Sequence, residues 1–183
     1  MTNYNNIEFC ETDKFQYLLI HKNGCTSVTN LINQFDYFVT DKKNLNKIRW
    51  TVIRDPFERF MSGLKYDLKR NNLKIKDINI KDLFLSKINK QTRTKGFVSH
   101  TCSQLSYLMN TDINWYIHIN DLSLFLKMHF GKSVVLNKNQ KEYKLKINKE
   151  EIMKYLNIDY EVYNQIMLSE NYGNGKKERY FEH

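Results

Sequence analysis

Proline occurs once in this chain, as Pro56, and glycine only six times in 183 residues. There is too little of either to build a flexible linker, and no internal repeat, so a single domain over residues 1–183 is expected. Cysteine is equally sparse. Cys10, Cys25 and Cys102 are odd in number and widely spaced, which fits neither a disulfide framework nor a CxxC metal site and suits a reducing compartment. No stretch approaches the roughly 20 apolar residues of a membrane span, and Met1 to Lys14 is polar, with acidic residues and no apolar signal core. The expectation is a cytoplasmic chain with no membrane partner.

What is present argues for a folded core. Hydrophobic residues make up 41% and aromatics 14%, mostly Tyr and Phe, which excludes wholesale disorder. The net charge is +9 and the pI about 9.3, so partners should be phosphate, sulfate, nucleic acid or an acidic membrane surface. Charge alone does not choose among them. A nucleic-acid-binding module is the alternative that charge and aromatics permit, but no helix-turn-helix, zinc finger or RNP-like sequence is present.

Phe15 to His21 is an apolar, aromatic run that stops at Asn23-Gly24, as a buried strand would. Val28, Leu31, Ile32 and Phe35 then fall at helical spacing, with the hydroxyls of Thr26 and Ser27 placed to cap the entry. The order repeats. Arg49 to Ile53 reads as a second buried strand, followed by Arg54-Asp55-Pro56 and a helix with Phe57, Phe60, Met61, Leu64 and Leu68 on one face. Pro56 sits in its first turn and Asp55 is available as N-cap.

Further on, Leu73 to Lys95 reads as a surface excursion with a short helix near Ile80 to Ile88, and Thr101 to Leu108 as a helix. Trp115 to Ile119 is a third strand, Asp121 to Phe130 a helix ended by Gly131, and Val134 to Leu136 an extended segment. Two helices, Lys149 to Leu156 and Tyr160 to Glu170, precede Gly173-Asn174-Gly175 and a basic tail. Alternating strands and helices predict an α/β fold, P-loop-like and three-layered, with a small, mainly parallel sheet flanked by helices and ligands beyond the strand ends.

Lys22, Asn23, Gly24, Cys25, Thr26 and Ser27 bring a lysine, exposed backbone N–H groups, hydroxyls and a helix N-terminus to one point, which is an anion site. It is not a Walker A loop: the GxxxxGK[ST] spacing is absent and the lysine precedes the glycine, which disfavours a nucleoside-triphosphate kinase. In the second segment Arg54 stands at a strand end and Ser62 about 12 Å further along the helix, at 1.5 Å per residue. Arg54 can reach back toward Ser62, so the pair could hold one phosphate.

These two segments resemble the donor-binding motifs of the sulfotransferases that use 3′-phosphoadenosine-5′-phosphosulfate (PAPS), especially the carbohydrate sulfotransferases and their bacterial relatives. The first motif of that family resembles Pro-Lys-x-Gly-x-Thr-Ser, and here His21 stands where proline is usual. The second, Arg-Asp-Pro-x-x-Arg-x-x-Ser, matches at every named position from Arg54 to Ser62. His100 to Gln104 is similar to a His-x-x-x-Gln stretch of the family, and Asn120-Asp121-Leu122 stands in place of its Glu-x-Leu. The resemblance implies that Lys22 neutralises the bridging and sulfonate oxygens, that Asn23 to Ser27 cradle the 5′-phosphate, and that Arg54 and Ser62 hold the 3′-phosphate. It also implies a hydroxyl acceptor, a glycan or small molecule, and no metal.

Sulfonate transfer requires a cation and a base. Lys22 is the cation. His100, opening a helix in the stretch that resembles the family, is the leading base; His21 and Glu58 are the rivals. His118 and His129 read as structural, and Cys25 as a reactive thiol at a helix N-terminus or a packed side chain. Lys65 to Lys95 is either a guide for an anionic acceptor or a solvated face. A protein that binds PAPS or its desulfonated product, adenosine 3′,5′-bisphosphate (PAP), without catalysis is the remaining alternative.

Overall fold

The computed structural model describes residues 7–81, 101, 103–132, 145 and 147–173. The expected helix near Ile80 to Ile88 beyond residue 81, the extended segment at Val134 to Leu136, the tail after Gly173, His100 and Cys102 lie outside them.

The chain is mixed α/β. Strands β1 (Phe9–Glu11), β2 (Phe15–Leu18), β3 (Phe38–Thr40), β4 (Ile48–Ile53), β5 (Trp115–His118) and β6 (Tyr172–Gly173) form one sheet in the order β3-β1-β2-β4-β5-β6. Neighbours from β2 to β6 run parallel; β1 is antiparallel to both β2 and β3. The α-helices among the described residues are α1 (Cys25–Ile32), α2 (Pro56–Arg70), α3 (Leu105–Leu108), α4 (Leu122–Phe130) and α5 (Lys149–Leu168), with a 3-10 turn at Ile75–Asp77.

The central strands are buried on both faces, which is why they read as continuous apolar runs. Tyr17, Trp50, Val52 and Ile117 pack against Val28, Leu31 and Ile32 of α1 and Leu122, Phe125 and Leu126 of α4. Trp50 is the hub: it is fully buried, with ring centroids 4.6 Å from Tyr17 and 5.0 Å from Phe125. Leu18 and Ile20 join Phe9, Tyr107 and Ile113 in a separate cluster. Phe60, Leu64 and Leu68 of α2 meet Ile152 and Leu156 of α5 in a third.

Asp55 caps α2 as expected, accepting from the Glu58 backbone N–H at 2.9 Å, with Pro56 at the first helical position. Gly131 closes α4 in the left-handed conformation, at φ 69°. Three expectations are corrected. The helix expected from Thr101 to Leu108 is only the single turn α3, Leu105–Leu108, because Ser103 Oγ and Asp159 accept from the Leu105 N–H and start the helix there. Lys149 to Leu168 is one 20-residue helix, not two: Asp159 turns its carboxylate to Ser103 Oγ and the Leu105 N–H instead of competing for its own backbone. At α1 the cap is Gly24, at φ 79°, with no side-chain capping bond; Thr26 and Ser27 lie inside the first turn, and Phe35 lies beyond the helix end.

Candidate functional site

Parallel pairing of β2 with β4 and β4 with β5 carries three strand ends to one edge of the sheet. The turn after β2 is shaped by two left-handed residues, Lys22 at φ 66° and Gly24 at φ 79°. Gly24 is required there twice over, because a Cβ would lie 2.9 Å from Leu122 Cδ2 as well as in a strained conformation. Lys22 carries the strain without being glycine, and such outliers concentrate at functional sites.

All the expected donor-site residues but Asn23 border the same cavity. His21, Lys22, Gly24, Cys25, Thr26, Ser27, Arg54, Ser62, Tyr66 and Ile119 line one cavity of about 280 Å³. The backbone N–H groups of Gly24, Cys25 and Thr26 meet no acceptor among the described residues, and neither do the hydroxyl protons of Thr26, Ser27 and Ser62. Donors without partners at a helix N-terminus are what an oxyanion needs.

Asn23 is placed differently from its neighbours. Its side chain is fully buried and donates to the Val52 carbonyl at 2.7 Å and to Gln104 Oε1 at 3.0 Å. Gln104 in turn donates from Nε2 to the Arg54 carbonyl at 2.7 Å. The two amides thus clip the turn after β2 to the end of β4. Arg59 adds a third tie, donating from Nε to the His21 carbonyl at 3.1 Å while 2% exposed. In the sequence Gln104 and Arg59 stand out only as motif letters; Arg59, a charged residue beside Phe60 on the buried face of α2, was the one with a local signal.

The cations are held in place. Lys22 Nζ lies 3.4 Å from the Tyr66 ring centroid, a cation–π contact on a half-buried side chain. Burial pushes the Lys22 ammonium below the ordinary lysine range, opposed by the charges of Asp67 and Cys25 and assisted by Arg59. Arg54 donates from Nη1 to the Lys22 carbonyl at 3.4 Å and pairs from Nε with Glu58 at 3.4 Å. Arg54 and Ser62 also border a second cavity of about 260 Å³, with Phe57, Glu58, Met61 and Lys65.

The remaining candidates, Cys25 apart, sit elsewhere. Glu58 is exposed, borders only the second cavity and is bound to Arg54. His118 is half-buried at the end of β5 and accepts from the Asn120 N–H at Nδ1, 3.2 Å away; burial lowers its pKa. His129 packs its ring 4.7 Å from that of Phe125, and burial lowers its pKa as well. Cys10 is a core residue whose thiol burial pushes up to about 11, whereas Cys25 opens on the first cavity.

Family models, curated proteins and solved structures were all compared with the chain. None matches. Among the described residues no group of three or more His, Cys, Asp or Glu could hold a metal ion, and no helix is long and apolar enough to cross a membrane.

Proposed function

We propose that this protein is a sulfotransferase that binds PAPS in the cavity beyond the carboxyl ends of β2 and β4 and transfers its sulfonate to a hydroxyl acceptor, a carbohydrate or small molecule. The finer reading of the fold, a P-loop-like three-layer arrangement, belongs with this proposal. One observation carries it: seven residues singled out on two distant segments, Lys22, Gly24, Cys25, Thr26, Ser27, Arg54 and Ser62, line a single cavity. The free N–H groups of the turn suit a 5′-phosphate, and Arg54 with Ser62 suits a second phosphate on the same nucleotide.

In this reading Lys22 sets its ammonium against the bridging oxygen and takes up the charge that grows as the S–O bond to the 5′-phosphate breaks. Asn23 and Gln104 do not touch the donor. They hold the two phosphate-binding segments at a fixed separation, which is the preorganisation that such electrostatic stabilisation needs. The base expected at His100 lies outside the described residues.

Calorimetry with PAP tests the donor site, and turnover of labelled PAPS over a panel of hydroxyl acceptors tests the reaction. Saturable binding of PAP is the expected result. Failure to bind it at millimolar concentration overturns the assignment.

A further inference from the structure

We infer that His21 is the general base for the acceptor in this cavity, an assignment that rests on the donor reading above. The first cavity has no carboxylate on its wall among the described residues. Among the described residues the nearby acids are paired or buried away from its wall. Asp55 accepts from the Tyr160 hydroxyl on both carboxylate oxygens, at 3.1 and 2.9 Å, and from the Glu58 N–H. Glu58 is paired with Arg54, and Asp67 is fully buried in α2.

His21 adjoins Lys22 in the chain and shares its wall of the cavity. Its backbone is anchored by Arg59 at 3.1 Å, and its ring stands edge-on to Tyr107, centroids 6.3 Å apart at 80°. Tyr107 is 2% exposed, so the imidazole is braced against a fixed surface. Among the described residues the titratable and charged groups that bear on it or on its wall of the cavity are Lys22 and Cys25 on its own turn, Arg54 at the end of β4, Arg59, Tyr66 and Asp67 on α2, Asp67 acting on Lys22, and Tyr107 on α3. Imidazole is the side chain among these that ordinarily exchanges its proton near neutral pH.

The step balances. The acceptor oxygen forms its bond to sulfur as its proton passes to the imidazole; the S–O bond to the 5′-phosphate breaks, and PAP departs with the released electron pair beside Lys22. The imidazolium then gives its proton to water.

Labelled PAPS with water as the acceptor provides the test without knowledge of the natural acceptor. The wild-type chain should release sulfate at a rate that rises with pH through the imidazole range. His21→Gln should lower that rate by about 100-fold and erase the acidic limb, leaving PAP affinity within about threefold. A Gln variant with wild-type rate and profile overturns the assignment, as does PAP binding by the wild type without catalysed release. A parallel fall in PAP affinity would make His21 a donor-binding group and reject the base. Absence of PAP binding by the wild type instead sinks the donor reading beneath it.

Discussion

The side chains of Asn23 and Gln104, 81 residues apart in sequence, share a 3.0 Å hydrogen bond in the interior, where Asn23 is fully buried and Gln104 is 4% exposed. Each also binds a backbone carbonyl near the end of β4, Val52 for Asn23 and Arg54 for Gln104. Gln104→Ala leaves a buried amide and a carbonyl unsatisfied, at a cost of about 1–3 kcal/mol, read as a lower urea midpoint. PAP affinity should fall with it, although neither residue lines the cavity. Unchanged stability and affinity would show that the clip is dispensable.

Arg54→Ala should weaken PAP binding by more than about tenfold, because a charge-assisted phosphate contact is among the strong ones. Ser62→Ala removes a neutral donor and should cost less. Calorimetry on both variants gives the ranking, and an intact dissociation constant for Arg54→Ala removes the 3′-phosphate assignment.

Lys22→Ala should depress turnover more than PAP affinity, and equal losses would argue against a transition-state role. Burial lowers the pKa of Lys22, so the unfolded chain keeps this proton to higher pH than the fold does. Between the two pKa values the unfolded state binds more protons, and stability rises with pH through that window. Donor affinity runs the opposite way, since the cation is lost. PAP titrations should therefore weaken on the alkaline side below the ordinary lysine range, and Lys22→Arg should move that limb upward.

Gly24→Ala combines a left-handed backbone with a Cβ 2.9 Å from Leu122 Cδ2, a side chain that is itself fully buried. The conformation alone costs roughly 1–2 kcal/mol for an L-residue. A lower urea midpoint together with weakened PAP binding is expected; a variant as stable as the parent would mean that the turn tolerates another backbone path.

The buried parallel strands were legible because both faces are covered and every residue is apolar or paired, as in Arg49 to Ile53. β1, β3 and β6 were not, since three, three and two residues are too few to display a period of two. α5 was misjudged at Asn157-Ile158-Asp159, weak helix formers locally, because the bond that satisfies Asp159 comes from Ser103, 56 residues earlier. Within the site, the lysine, glycine and hydroxyls of the first turn could be read from their spacing. That Asn23 faces inward could not, for its partners Val52 and Gln104 lie 29 and 81 residues away.

The amino-acid order alone determined the local chemistry: two strand ends carrying cationic and hydroxyl side chains, a helix start at Pro56, and a net charge of +9. Only the tertiary structure decided that these ends meet, because β2 lies beside β4 in parallel register and the amides of Asn23 and Gln104 cross between them. Local composition sets which groups are present; the separation between them depends on strand pairing and buried hydrogen bonds whose partners are remote in sequence.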